Sequence, residues 1–141
     1  MATSHVITHS EAETADVARG LAAELSPGSV VLLFGDLGAG KTAFVRGVAE
    51  GLGIQAEEVS SPTFTIMQEY RGGRVPLFHV DLYRLNSARE IEELGLDEIT
   101  ADGVLMVEWA ERLPDARSDA VQVRIAHAGD TERRIDIYSE G

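Results

Sequence analysis

Apolar and polar positions along the chain follow two periods, and the points where one gives way to the other mark its elements. Val6 to Thr8 is a short strand candidate. Ser10-Glu11-Ala12-Glu13 has the spacing of a capping box, and Val17, Leu21 and Leu25 follow at helical intervals. A covering helix is therefore predicted over Glu11 to Leu25, ended by Ser26-Pro27-Gly28. Val30 to Phe34 is an unbroken apolar run of the kind a buried strand presents, and Ala43 to Leu52 returns to helical period. Thr63 to Tyr70 alternates as a strand, Arg71-Gly72-Gly73 is a turn, and Val75 to Asp81 is a second strand, which together read as a β-hairpin. Ser87-Ala88-Arg89-Glu90 repeats the capping-box spacing and opens a helix through Leu94 that stops at Gly95, with a further turn over Asp97 to Thr100. Val104 to Val107 reads as a central strand ending in Glu108 and Trp109. Ala120 to Ala126 and Arg133 to Tyr138 alternate with period two around Gly129-Asp130, giving a final pair of strands.

Between the Val30 strand and the Ala43 helix lies Gly35-Asp36-Leu37-Gly38-Ala39-Gly40-Lys41-Thr42, of the form G-x-x-x-x-G-K-[ST]. The chemistry demands this order. Glycines let successive backbone N–H groups turn inward around a polyphosphate, a lysine reaches the β and γ phosphates, and a hydroxyl ligates Mg²⁺. The helix that follows presents its positive amino-terminal end to the anion. Lys41 is the sole lysine in the chain, so it is not one of many surface lysines. The expected fold class is α/β: a P-loop NTPase-like three-layer domain with a central mixed, mainly parallel sheet and antiparallel strands.

At 141 residues the chain is expected to form one domain, 1–141, large enough for a core but too small for an appended substrate domain. The absence of cysteine excludes disulfides and thiolate metal sites. Met1 to Thr8 has neither a basic region nor a long apolar run, so the expectation is a soluble, cytoplasmic protein without a membrane segment. A net charge of −12 argues against strong direct nucleic-acid binding by phosphate neutralisation, and any RNA should be held by another protein.

A phosphate loop needs an acid from a neighbouring strand for Mg²⁺ and a group to orient the attacking water. Two acids end apolar strands: Asp81 after Leu77-Phe78-His79-Val80, and Glu108 after Val104 to Val107. Glu108 is the candidate for the metal and Asp81 for a switch or water-orienting role. Thr63, after Pro62, occupies a loop of the kind that serves as a nucleotide-responsive switch. Trp109 is a candidate to lie near the nucleotide edge, His79 reads as an organising hydrogen-bonding residue, and Arg84 is a minor candidate for a phosphate or a partner. A lesser reading lets the first turn of the Glu11 helix touch the base.

Taken together, these residues resemble the bacterial TsaE family, the ATPase subunit of the tRNA threonylcarbamoyladenosine machinery. The marks are the loop Gly35 to Thr42, Ser61-Pro62-Thr63-Phe64, His79-Val80-Asp81-Leu82-Tyr83-Arg84, Glu92-Glu93-Leu94-Gly95-Leu96-Asp97-Glu98, and Val107-Glu108-Trp109 with Leu113-Pro114 beyond. They span about residues 30 to 114. The resemblance implies ATP and Mg²⁺ as cofactors and slow hydrolysis unless two partners are present. Those partners are a threonylcarbamoyl transferase and its paralogous companion, of the TsaD and TsaB type, which act on tRNAs reading codons that begin with A. It implies catalytic roles for Lys41, Asp81 and Glu108, and nucleotide contacts from Asp36, Leu37, Gly38, Ala39, Gly40, Lys41, Thr42, Ala43, Thr63 and Trp109. The metal falls to Thr42 and Glu108, because Ala43 stands where the family often has a second threonine. Arg133 and Arg134 are weaker candidates for the adenine.

Three other readings compete. A small GTPase needs N-K-x-D to read guanine, which a chain whose one lysine is Lys41 cannot supply. A small P-loop kinase needs an acceptor pocket and usually an arginine-bearing lid. A nucleotide-regulated binding module with negligible turnover needs neither.

Overall fold

Short apolar runs of β-branched residues, capped by turns and separated by amphipathic helices, fold here as a seven-stranded sheet. The computed structural model describes residues 2–35, 40–55, 67–82, 87–99, 101–113 and 120–139. The strands are β1 Ala2–Thr8, β2 Val30–Gly35, β3 Met67–Tyr70, β4 Leu77–Asp81, β5 Val104–Glu108, β6 Val121–His127 and β7 Arg133–Ser139. They hydrogen-bond in the order β1-β7-β6-β2-β5-β4-β3. The helices are α1 Glu11–Ala22, α2 Lys41–Gly51, α3 Ala88–Glu93 and α4 Leu96–Ile99, and a single 3₁₀ turn, Ala110–Arg112, follows β5.

The mixed α/β sheet agrees with expectation, and its pairings divide evenly. β4/β5, β5/β2 and β2/β6 are parallel and central, while β3/β4, β6/β7 and β1/β7 are antiparallel and peripheral. Turns as short as those joining β3 to β4 and β6 to β7 permit only antiparallel pairing. Because β4, β5, β2 and β6 run the same way, Asp81, Glu108 and Gly35 share one edge of the sheet. Asp81 stands opposite Glu108, and Glu108 opposite Leu33.

Two apolar clusters make the three layers. Val31 and Leu33 of β2, Val104 and Met106 of β5, and Val123 and Ile125 of β6 pack under α1 and α2. On the other face Leu32, Phe78, Val80, Leu105 and Val107 pack with Ile91, Leu96 and Ala110. Alternation along each strand sorts the side chains between these faces. It sends His79 and Glu108 to the α2 side, in step with Leu77 and Met106.

Some boundaries differ from the sequence pattern. The expected helix through Leu25 stops at Ala22, with Ala23 as its cap, yet Leu25 is still buried. The strand expected from Val75 begins at Leu77, since Pro76 has no N–H to donate to β3; its carbonyl accepts from Val104 instead. The further turn after Gly95 is the short helix α4. The part of the hairpin strand before Met67, and Thr100, lie outside the described residues.

Small side chains bring α1 and α2 close. A Cβ added at Gly47 would lie 2.6 Å from the Ala18 Cβ and 2.8 Å from the Ala15 Cα. Arg19 pairs with Asp16 on its own helix and reaches Glu50 of α2 at 3.1 Å. Since α2 carries Lys41 and Thr42 in its first turn, this packing sets the angle at which the loop residues meet the sheet. Gly47→Val is expected to lower stability by about 1–3 kcal/mol through overpacking, despite valine's better helix propensity than glycine. Urea unfolding checks this; an unchanged midpoint would show that the helices can part without cost.

Candidate nucleotide site

The site is built at the carboxyl edge of the central strands, where ligands of open α/β sheets gather. β2 ends at Gly35, whose φ of +152° and contact with the Ile125 carbonyl leave no room for a Cβ. The chain re-enters the described residues at Gly40, with φ +102° and ψ +20°, a left-handed conformation that suits glycine. Gly40 is the N-cap of α2 and makes no side-chain capping hydrogen bond, and the first turn of α2 holds no acid. Helices α1 and α3 are finished differently, with Ser10 and Ser87 accepting from the backbone N–H of Glu13 and Glu90. An α-helix opens with about four N–H groups that have no partner within the helix. In α1 and α3 a serine takes one of them; in α2 no side chain of the described residues caps the helix, an opening of the kind that suits an anion.

Lys41 is the first residue of that helix and is only 6% exposed. Its Nζ donates to the Gly35 carbonyl at 3.1 Å and lies 4.6 Å from the centre of the Trp109 ring. Trp109 itself has φ +59°, the one non-glycine residue with positive φ among the described residues. A bulky side chain in that region costs about 1–3 kcal/mol, which the surrounding structure must offset. The backbone conformation turns β5 sharply into the 3₁₀ turn, with the indole against Lys41.

Thr8, Thr14, Lys41, His79 and Glu108 are the buried polar residues of the described chain. Thr8 and Thr14 satisfy one another at 2.8 Å. Glu108, 5% exposed, meets His79, which is fully buried, with Oε2 to Nε2 at 2.5 Å. Asp81 is half-buried at the end of β4. Three buried or half-buried ionisable side chains, Lys41, Glu108 and Asp81, therefore come to one edge from three elements.

A cavity of about 280 Å³ opens beside the start of α2, lined in part by His9, Ser10, Thr14, Gly40, Ala43 and Arg133. It joins the turn before α1, the start of α2 and the β6–β7 turn. These segments are far apart in sequence. Of the two arginines expected near the base, Arg133 lines the cavity. Arg134 points to the opposite face of the sheet and bonds Asp136 at 3.0 Å. Signals for His9, Ser10, Thr14, Asp130 and Thr131 were slight: the capping serine, and the turn around Gly129-Asp130.

Among the candidates read from the sequence, Gly40, Lys41, Thr42, Ala43, Asp81, Glu108 and Trp109 are described and occupy this edge. Asp36, Leu37, Gly38, Ala39, Thr63 and Arg84 lie outside the described residues. The available donors suit a hard cation. The Thr42 hydroxyl and Glu108 carboxylate are oxygen ligands, and Mg²⁺ held with nucleotide phosphates takes only one or two protein groups.

The model of the family described as "Threonylcarbamoyl adenosine biosynthesis protein TsaE" matches residues 8–135. The chain belongs to the TsaE family. Among its relatives, the tRNA threonylcarbamoyladenosine biosynthesis protein TsaE of Bacillus subtilis is 50% identical over 134 residues, covering 92% of this chain and 81% of that one. The TsaE of Rickettsia bellii is 37% identical over 141 residues, covering 99% and 98%. The crystal structure of Bacillus subtilis YdiB superposes with a TM-score of 0.77 at 41% identity, covering 99% of this chain and 87% of that one. The resemblance to TsaE is thus borne out over the whole region that carries the site, and the α/β fold with it. No helix among the described residues is long and apolar enough to cross a membrane.

His9, which lines the cavity, is bonded to a carboxylate. The His9 backbone N–H donates to Glu13 Oε1 at 2.7 Å, and this bond, followed by that of the His9 side chain, holds the Glu13 carboxyl below its ordinary range against a smaller opposing effect of desolvation. A carboxyl lowered in the folded state stabilises above its unfolded pKa and loses that contribution as pH falls through the folded one. Glu13→Gln is therefore expected to lower the melting temperature at pH 7, with the gap to the parent chain closing as the pH drops through the carboxylate range. A gap of constant size across thermal melts from pH 7 to pH 3 would mean the charge of Glu13 contributes nothing.

Proposed function

We propose that this TsaE-family chain binds ATP with Mg²⁺ and hydrolyses it in the service of threonylcarbamoyladenosine formation in tRNAs that read codons beginning with adenine. It would act with a threonylcarbamoyl transferase and its paralogous partner, of the TsaD and TsaB type, and turn over slowly without them. The link to tRNA threonylcarbamoyladenosine rests on the family and its relatives. The nucleotide chemistry rests on one observation above all: an α2 start without a side-chain cap, led by a buried lysine, at the edge that also carries Glu108 and Asp81.

Each residue's part follows from its chemistry. The N–H groups at the start of α2 take phosphate oxygens, and Lys41 exchanges the Gly35 carbonyl for the β and γ phosphates. Thr42 and Glu108 hold Mg²⁺, whose contribution is to neutralise charge on the β and γ phosphate oxygens. Asp81, across from Glu108, orients the attacking water near the γ phosphate. The adenine fits the cavity between Ser10, Ala43 and Arg133, which begins at the α2 end of the phosphate loop. The remaining loop residues, Asp36 to Ala39, and the switch residue Thr63 complete the reading from the family motif. With Lys41 committed to phosphate and no other lysine in the chain, a guanine-specific site is disfavoured.

The test is ATP binding and phosphate release, measured with and without the two partners. Lys41→Ala is expected to stay folded and lose about 10–100-fold in ATP affinity, the worth of a charge-assisted hydrogen bond. Glu108→Ala is expected to weaken the Mg²⁺ dependence and abolish most hydrolysis. Unchanged ATP affinity in a folded Lys41→Ala protein would remove the site. Tight binding without phosphate release, even with the partners, would favour a nucleotide-regulated binding module instead; transfer of the γ phosphate to a small acceptor would favour a kinase.

A further inference from the structure

His79 occupies a position that the fold alone would give to an aliphatic or aromatic residue. It sits mid-strand in β4, fully buried, between Phe78 and Val80 of a run that otherwise packs as core. A buried imidazole needs partners for two ring nitrogens. Here Nε2 meets Glu108 Oε2 at 2.5 Å, while Nδ1 is a buried side-chain atom with no hydrogen-bond partner among the described residues. An ionised carboxylate can only accept, so the bond between them is donated by Nε2 to Glu108. The other buried polar side chains spend their donors differently: Thr8 and Thr14 on each other, Lys41 on the Gly35 carbonyl. The histidine leaves one nitrogen unpaired and directs the other at a single carboxylate, an arrangement that stability does not explain.

Its effect on Glu108 does. His79 stands opposite Met106 in the β4/β5 register, two residues short of Glu108, so the bond runs diagonally and draws the carboxylate back over β5. A glutamate at a strand end otherwise chooses among several rotamers. With Oε2 engaged by His79, the side chain is held in one of them, and the carboxylate is fixed at the edge that also carries Asp81 and the start of α2. We propose that His79 is a positioning residue for the metal site: it fixes the Glu108 carboxylate through Nε2 and thereby sets the affinity for Mg²⁺. This rests on the reading of Glu108 as the carboxylate that serves Mg²⁺.

The experiment measures Mn²⁺ binding, by the loss of its free electron paramagnetic resonance signal, to the full chain with adenylyl imidodiphosphate bound. Nucleotide affinity in EDTA is measured beside it. His79→Leu is expected to weaken Mn²⁺ binding by about 10–100-fold, the usual cost of losing a hydrogen bond to a metal ligand, with metal-free nucleotide affinity unchanged. His79→Gln, whose amide nitrogen reaches the place of Nε2, is expected to restore most of that affinity. His79→Asn, whose amide reaches only as far as Nδ1, is expected not to. Should His79→Leu fail to fold, the Gln and Asn pair decides: a clear difference in Mn²⁺ affinity supports the proposal, and equal affinities overturn it. Glu108→Gln is the reference. If it weakens Mn²⁺ binding while the His79 variants bind as the parent does, His79 is a packing residue and the role of Glu108 stands. If Glu108→Gln binds Mn²⁺ normally, the role of Glu108 falls and takes this proposal with it.

Discussion

The structure depends on a helix that begins without a side-chain cap. Strand β2 delivers the chain to the sheet edge at Gly35, and α2 starts at Lys41 behind a left-handed glycine with no side chain to cap it. Unpaired donors near a helix's positive end cost free energy unless an anion or water takes them. The same chain caps α1 and α3 with serine, so the difference lies in α2 itself. Close packing of Gly47 and Gly51 against α1 fixes the body of α2 on its neighbour.

Around that end the fold concentrates its buried polarity. Lys41, His79 and Glu108 are each at most 6% exposed, and each is held by a specific partner rather than by solvent. Charges of both signs in so little space cost desolvation, which their mutual contacts offset only with good geometry. The strained Trp109 backbone belongs to the same pattern, since it brings the indole against Lys41. Such features are expected where binding, rather than stability, has shaped the residues.

How much of this was legible beforehand varies with the range of the interaction. Capping boxes at Ser10 and Ser87 and the apolar runs of β2 and β5 are local, and they located α1, α3 and the central strands to within a few residues. Glu108 and Asp81 could be picked as strand-end acids for the same reason. Pairing is not local. That β1 joins β7, or that β6 lies beside β2, follows from contacts between residues distant in the chain, such as Ala2 with Ser139 and Val31 with Val121. The partner of His79 was equally hidden, because only the β4/β5 register brings its ring to Glu108. Arg133 and Arg134 look alike as letters, and only the pleat sends one to the cavity and the other to Asp136.

The most direct measurement is a crystal structure of the chain grown with Mg²⁺ and adenylyl imidodiphosphate. Polyphosphate density at the α2 end, with Lys41 Nζ moved from the Gly35 carbonyl onto the β and γ phosphates and the base in the cavity beside Arg133, is the predicted result. Nucleotide bound elsewhere, or Lys41 still on Gly35 with no density before it, would contradict the account.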